Sequence, residues 1–310
     1  VFWQPGGLGW EGERRERMAE RRAAQLAAAA ELAAEQPLLL SSGPGSPAME
    51  RWMQRQLGQE GERLHQLRQR LWKDVRWGRQ DRVLVLGGRS LLWALDPLQQ
   101  VPEGGVTLLC PDDDDRRRIA AQIQLLDPEL QPQLVSDLAD LPLDHRFERI
   151  GGRLGSADLQ NLDWGQLASA LTRCAQDGAE LRLLLSRATV GPAGALNSPG
   201  LERLVHGEQQ WLTQLEIELD PLEQRGWLLH VQAWEEMLTL PGGPALADRW
   251  LAENSAYRRM IRGIDADTHK RLRQMLEGVG ADGLRLPLRH QLMTGWLQTN
   301  KKAPAEPGLG

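Results

Sequence analysis

Cysteine, phenylalanine, tyrosine and lysine are all scarce in this chain of 310 residues, and each shortage removes a class of protein. The two cysteines, Cys110 and Cys174, stand far apart without metal-ligand spacing, which excludes a disulfide scaffold and fits a reducing, cytoplasmic setting. The six histidines, His65, His145, His206, His230, His269 and His290, are scattered, so no metal site is expected. No 18-residue apolar run exists, and with it goes a membrane span. A phosphate loop of the Gly-x-x-x-x-Gly-Lys-Ser/Thr type is missing, so these residues hold no ATPase of that kind. The net charge of −5 provides no global field for nucleic acid. Lysine occurs only at Lys73, Lys270, Lys301 and Lys302, a bias towards arginine that reads as genomic base composition.

What is present is ordered along the chain. Glu11 to Glu35 is rich in Ala, Glu and Arg, with Glu11 and Arg15, and Glu13 and Arg17, at helical pairing distance; an exposed helix is expected. Pro37 to Pro47 is a breaker cluster and reads as a linker. Ala48 to Asp74 resumes helical periodicity through Trp52, Leu57, Leu64, Leu67, Leu71 and Trp72. Strand-length apolar runs then alternate with helical stretches: Val83 to Leu86, Val106 to Cys110, Gln133 to Val135, Phe147 to Ile150 and Leu181 to Leu185. This is the rhythm of a mostly parallel α/β sheet with crossover helices over Leu91 to Leu98, Asp114 to Leu126 and Leu162 to Gln176. Leu204 to Leu219 reads as a further helix and Trp227 to Trp234 as a late strand. Helices are expected again over Leu246 to Arg262, Asp267 to Gly278 and Pro287 to Leu297, followed by a disordered tail at 301–310.

The most informative segment is Asp81-Arg-Val-Leu-Val-Leu-Gly-Gly-Arg-Ser-Leu-Leu-Trp-Ala-Leu95, a buried strand running into a glycine turn and a helix. Its strand order and strand ends resemble the class I S-adenosylmethionine-dependent methyltransferase fold over roughly Asp81 to Glu236. The resemblance implies a three-layer, Rossmann-like domain with a helical N-terminal arm and a helical C-terminal extension. It also implies S-adenosylmethionine as cofactor, held by Gly87 and Gly88, by Asp112 shifted two residues from Cys110 at the ribose position, and by Asp137 near the adenine. The chain departs from that pattern where Val85 replaces the usual acid and where Arg89 and Leu91 replace later glycines. After the fourth strand Gly151-Gly-Arg-Leu-Gly155 stands where a nitrogen-methylating enzyme carries an Asn/Asp-Pro-Pro-Tyr/Phe loop, which argues against base methylation. Arg89 either meets a phosphate or carboxylate or fills the emptied cavity with its stem.

A second resemblance lies in Phe2-Trp3-Gln4-Pro5-Gly6-Gly7-Leu8-Gly9-Trp10-Glu11. It is similar to the C-terminal segment of the replication-associated recombination protein A family, clamp-loader-like AAA+ ATPases acting at stalled forks. The whole chain is similar to the module fused behind such an ATPase in cyanobacteria. That resemblance implies a piece of a longer protein, divided as an ATPase tail, exposed helix and linker (1–47), a methyltransferase-like domain (48–240), a helical extension (241–300) and the tail. It implies a preceding AAA+ domain as partner and a place in DNA recombination, repair or replication.

The acidic run from Asp112 to Asp115, followed by Arg116 to Arg118, reads as helix capping, since consecutive carboxylates cannot all face one ion. No Ser, His and Asp arrangement emerges, and Ser186 and Ser198 stand without assigned partners; the catalytic residues stay unassigned. Arg249, Arg258, Arg259, Arg262, Arg271, Arg273, Arg285 and Arg289, with Trp250, Tyr257 and Trp296 between them, offer either a DNA groove or a helical cap with aromatics inward. Three functions stand: a degenerate accessory module with weak or absent cofactor binding, an active methyltransferase of unknown substrate, and an interaction platform marked by an apolar patch around the C-terminal helices. A cavity plugged by Arg89, Leu91 or Trp93 would favour the first, an open acidic one the second.

Overall fold

The computed structural model describes residues 61–298 apart from 125, 127–130, 143, 161, 217 and 254. The exposed helix, the linker, the segment resembling the ATPase tail and the C-terminal tail lie outside the described residues. The chain enters as a helix over residues 61–72 (α1) and forms β1 (Arg82–Leu86), a 3-10 turn (Leu91–Ala94), α2 (Leu95–Gln100) and β2 (Gly105–Leu109). It continues through α3 (Asp113–Ile123), β3 (Gln133–Val135), β4 (Phe147–Gly155), α4 (Ser156–Leu159), α5 (Trp164–Cys174) and β5 (Ala175–Ala188). Then come α6 (Pro192–Leu196), α7 (Glu202–Gln214), α8 (Asp220–Glu223), β6 (Trp227–Leu240), α9 (Pro244–Leu251), α10 (Ala256–Met260), α11 (Ala266–Glu277) and β7 (Leu284–Leu297).

The seven strands lie in one sheet in the order β3-β2-β1-β4-β5-β7-β6. β1 pairs in parallel with β2 and β4, β2 with β3 and β4 with β5, whereas β7 runs antiparallel between β5 and β6. Val83 to Leu86 of β1 are continuously apolar because both faces of the strand are covered there. Val83 and Val85 pack with Leu67, Leu71 and Trp72 of α1, Trp93 and Ile119 on one side. Leu84 and Leu86 belong on the other to a larger core that also holds Leu171 of α5, Leu212 of α7 and side chains of α9 to α11. The result is the helix-sheet-helix sandwich that the alternation of strands and helices implied.

Local chemistry places the helix starts. The Asp112 carboxylate accepts from the amides of Asp114 and Asp115, both at 2.9 Å, so the acidic run does cap α3. Behind it Asp113, Asp114 and Asp115 pair with Arg116, Arg117 and Arg118 one turn on. Asp163 and Asp265 cap α5 and α11 in the same way.

One expected element is corrected. Pro287 to Leu297 is not a helix; it belongs to β7, which is hydrogen-bonded to β5 along one side and to β6 along the other. Pro287 does not obstruct the strand because it lies just past the last β5 pair, Ala188 with Leu288, and meets that side through its carbonyl, which accepts from the Thr189 amide at 2.9 Å. The single helix expected over Leu246 to Arg262 is two, α9 and α10, interrupted between Leu251 and Ala256, and the one expected over Asp267 to Gly278 is α11. The late strand extends beyond Trp234 to Leu240 because β7 supplies a partner along its full length.

Candidate ligand site

The chain leaves β1 outward to β2 and β3 and then crosses back to β4 on the opposite side of β1. Ligands in open α/β sheets bind outside the strand ends at such a reversal. A cavity of about 320 Å³ opens at this place between the ends of β1, β2 and β4, near the lower limit of small-ligand pockets. Its walls include Gly87, Gly88 and Arg89 from the turn after β1, Cys110 and Asp112 after β2, and Leu154 and Asp158 from β4 and α4.

Gly87, Gly88 and Asp112 therefore come together. Asp137 does not join them: it follows β3, is exposed, and accepts from the Ala139 amide at 2.8 Å, capping a 3-10 turn. The two glycines have a packing reason independent of any ligand. A Cβ on Gly87, whose φ is +83°, would stand 2.0 Å from the Arg153 carbonyl oxygen, and one on Gly88 2.5 Å from that of Leu109. Cys110 holds the turn from the β2 side, its Sγ donating to the Gly88 carbonyl at 3.0 Å. Burial pushes this thiol up to about 11, so it is not a thiolate near neutral pH.

Leu91 and Trp93 turn away into the core under α1, so neither plugs the cavity. Arg89 stays at its mouth. Its Nε lies 2.9 Å from Asp158 Oδ1 and 3.6 Å from Asp115 Oδ2, so the carboxylates that it meets are the protein's own. Asp158 escaped the sequence reading. Its signal was an acid three residues after the strand-ending Gly155, whose amide it accepts at 2.8 Å.

The structure also assembles a serine, a histidine and a carboxylate that no spacing announced. His290 Nδ1 lies 2.9 Å from Ser186 Oγ, and its Nε2 lies 3.1 Å from Glu236 Oε1. Arg153 Nε donates to Ser186 Oγ at 3.1 Å, Arg63 of α1 pairs with Glu236, and Trp234 stacks on the His290 ring. Ser186 is 4% exposed and His290 0%, which leaves no approach for a substrate to Oγ. The network joins β4, β5, β7, β6 and α1 and acts as polar packing.

Burial lowers the pKa of His290 against the opposing pull of Glu236, with Arg153 and Arg63 adding to the lowering. A folded-state value below the ordinary one near 6.5 gives stability that is fully present above pH 6.5 and is lost as pH falls through the folded pKa. Urea midpoints of the wild type and His290→Gln, measured from pH 8 to 5, are expected to converge on the acid side. Parallel curves would show that His290 does not titrate with unfolding.

The arginine-rich helices turn their aromatics inward: Tyr257 is 1% exposed and Trp250 packs against it. Arg273 is held by Asp248 and Glu277, and Arg271 donates to the Pro199 carbonyl. The large apolar side chains exposed among the described residues, Leu228, Met237 and Trp296, lie on β6 and β7 and not on those helices. No helix of the described residues is long and apolar enough to cross a membrane.

The sheet order with β7 alone antiparallel defines a methyltransferase-like, Rossmann-related α/β fold. Solved structures similar to this chain include the BH2331 protein of Bacillus halodurans, at 14% identity over 75% of this chain and 99% of that one with a TM-score of 0.46. The YcgJ protein of Bacillus subtilis is similar at 15% identity over 76% and 100%, with a TM-score of 0.45. A cyclopropane-fatty-acyl-phospholipid synthase-like protein of Lactobacillus casei is similar at 13% identity over 84% and 97%, with a TM-score of 0.42. No protein-family model and no curated protein matches the chain.

Proposed function

We propose that this chain is a methyltransferase-fold module that binds an S-adenosyl ligand weakly and serves an AAA+ ATPase of the replication-associated recombination type as an accessory part. The ligand half of this reading is supported by one observation, the cavity at the reversal point of the sheet. The residues around it fit such a group in size and in part in chemistry. Gly87 and Gly88 bring the backbone close, and Asp112 offers a carboxylate oxygen to hydroxyl groups beyond the Oδ1 that caps α3. S-adenosylmethionine, when bound, supplies a transferable methyl group. Weakness follows from Arg89, which stands at the mouth where the family pattern has a glycine and is engaged with two wall carboxylates. The ATPase half is supported by the sequence of Phe2 to Glu11 alone.

An active methyltransferase is the second reading, favoured by the fact that neither Leu91 nor Trp93 fills the cavity. Calorimetric titration of the chain with S-adenosylmethionine and S-adenosylhomocysteine separates the two. Saturation only near millimolar ligand, abolished by Ala157→Trp, which fills the cavity, is the expected result. Micromolar affinity would favour the enzyme, and no heat at millimolar ligand would remove the ligand from the reading.

A further inference from the structure

Three carboxylates and one guanidinium line the cavity: Asp112, Asp115, Asp158 and Arg89. They do not share one wall. Asp115 belongs to α3, which follows β2, while Asp158 belongs to α4, which follows β4 on the other side of β1. Arg89, three residues beyond β1, reaches both, so one side chain spans the crevice from wall to wall. Each carboxylate is also fixed from behind. Asp115, with a side chain only 6% exposed, pairs with Arg118 of its own helix, and Asp158 accepts from the Gly155 amide. The acids are thus a rigid pair of anchors, and Arg89, whose side chain is 48% exposed, is the movable element between them.

We infer that Arg89 is a built-in strap over the ligand site: its guanidinium closes the crevice by holding Asp158 and Asp115, and a nucleoside ligand with a cationic side chain enters by displacing it from those acids. This rests on the proposed ligand reading and adds the regulation of that site. A ligand that must first open the strap binds with its intrinsic affinity reduced by the open fraction. With Arg89 half in water the two ion pairs are modest attractions, so the reduction is about tenfold. The displaced guanidinium exchanges its two carboxylates for water, to which the Arg89 side chain is already half exposed. A cationic ligand end takes over the contact with the same carboxylates, whereas a purely anionic ligand would bring like charge beside them.

The test is calorimetric titration of the wild type and Arg89→Gln with S-adenosylmethionine, whose sulfonium and amino group outweigh its single carboxylate. Arg89→Gln keeps much of the stem and removes both ion pairs. Binding about tenfold tighter in the variant supports the strap. Equal or weaker binding in the variant, with the wild type still binding, overturns the strap and leaves the ligand reading standing. Absence of binding in both overturns strap and ligand reading together. A thermal melt establishes that the variant is folded; if it is not, Arg89→Ala serves in its place with the same three outcomes.

Discussion

Replacing Glu208 by alanine is expected to lower the folding stability by about 3–5 kcal/mol, which at this size is a fall of roughly 5–10 °C in melting temperature. Glu208 lies on α7 and is 1% exposed, yet its carboxylate is surrounded by donors. Oε1 accepts from the Ala193 amide at 2.8 Å and the Tyr257 hydroxyl at 2.6 Å, and Oε2 accepts from the Gly194 amide at 2.8 Å. The two amides belong to the first turn of α6, whose own N-cap position, Gly191, has no side chain to offer. Glu208 is therefore a distant cap that fastens α6, α7 and α10 together.

Alanine would leave two buried donors and one half-buried donor without an acceptor, each buried one costing about 1–3 kcal/mol before water enters the gap. Gly191 is part of the same fit, since a Cβ there would stand 2.3 Å from Glu208 Cδ. Burial raises the carboxyl's pKa while the three donors pull it down. Urea denaturation of Glu208→Ala checks the expectation, and a loss under about 1 kcal/mol would show that water replaces the carboxylate at little cost.

Gly87→Ala is expected to be of similar size, about 3–5 kcal/mol, and to damage the cavity as well. Two costs add. The left-handed φ of +83° disfavours any Cβ by about 1–2 kcal/mol, and the added carbon would lie 2.0 Å from the Arg153 carbonyl, so β1 and β4 must separate. The contact is reciprocal: Gly152, at φ +146°, faces Leu86 in the same way, with a Cβ 2.2 Å from its carbonyl oxygen. Gly207→Ala is the control. Gly207 lies inside α7 with open space around it, and alanine there is expected to raise stability by about 0.5–1 kcal/mol. Equal effects at the two positions in thermal melts would show that the close approach of β1 and β4 is not what requires Gly87.

These two cases mark how far the residues alone could lead. Gly87 was visible in the sequence as a turn after a buried strand, but a glycine that admits a ligand and a glycine that admits a neighbouring strand look alike until the neighbour is known. Glu208 was visible only as an acid midway between Leu204 and Leu212 on one helical face, and its three donors come from two other elements. Ser186, His290 and Glu236 are spread over 105 residues and meet only because β5, β7 and β6 are adjacent.

The sequence by itself determined the parallel core of the sheet, the helices that cross it and the capping role of the acidic run after β2. Those features depend on local periodicity and on contacts within a few residues, which the chain displays directly. Tertiary structure alone decided that residues 284–297 are a strand, because only two neighbouring strands could complete their backbone hydrogen bonds. It also decided that Asp137 stands apart from the cavity while Asp115 and Asp158 face it. Side chains from separate strand ends converge through sheet order, a long-range property that no local pattern encodes.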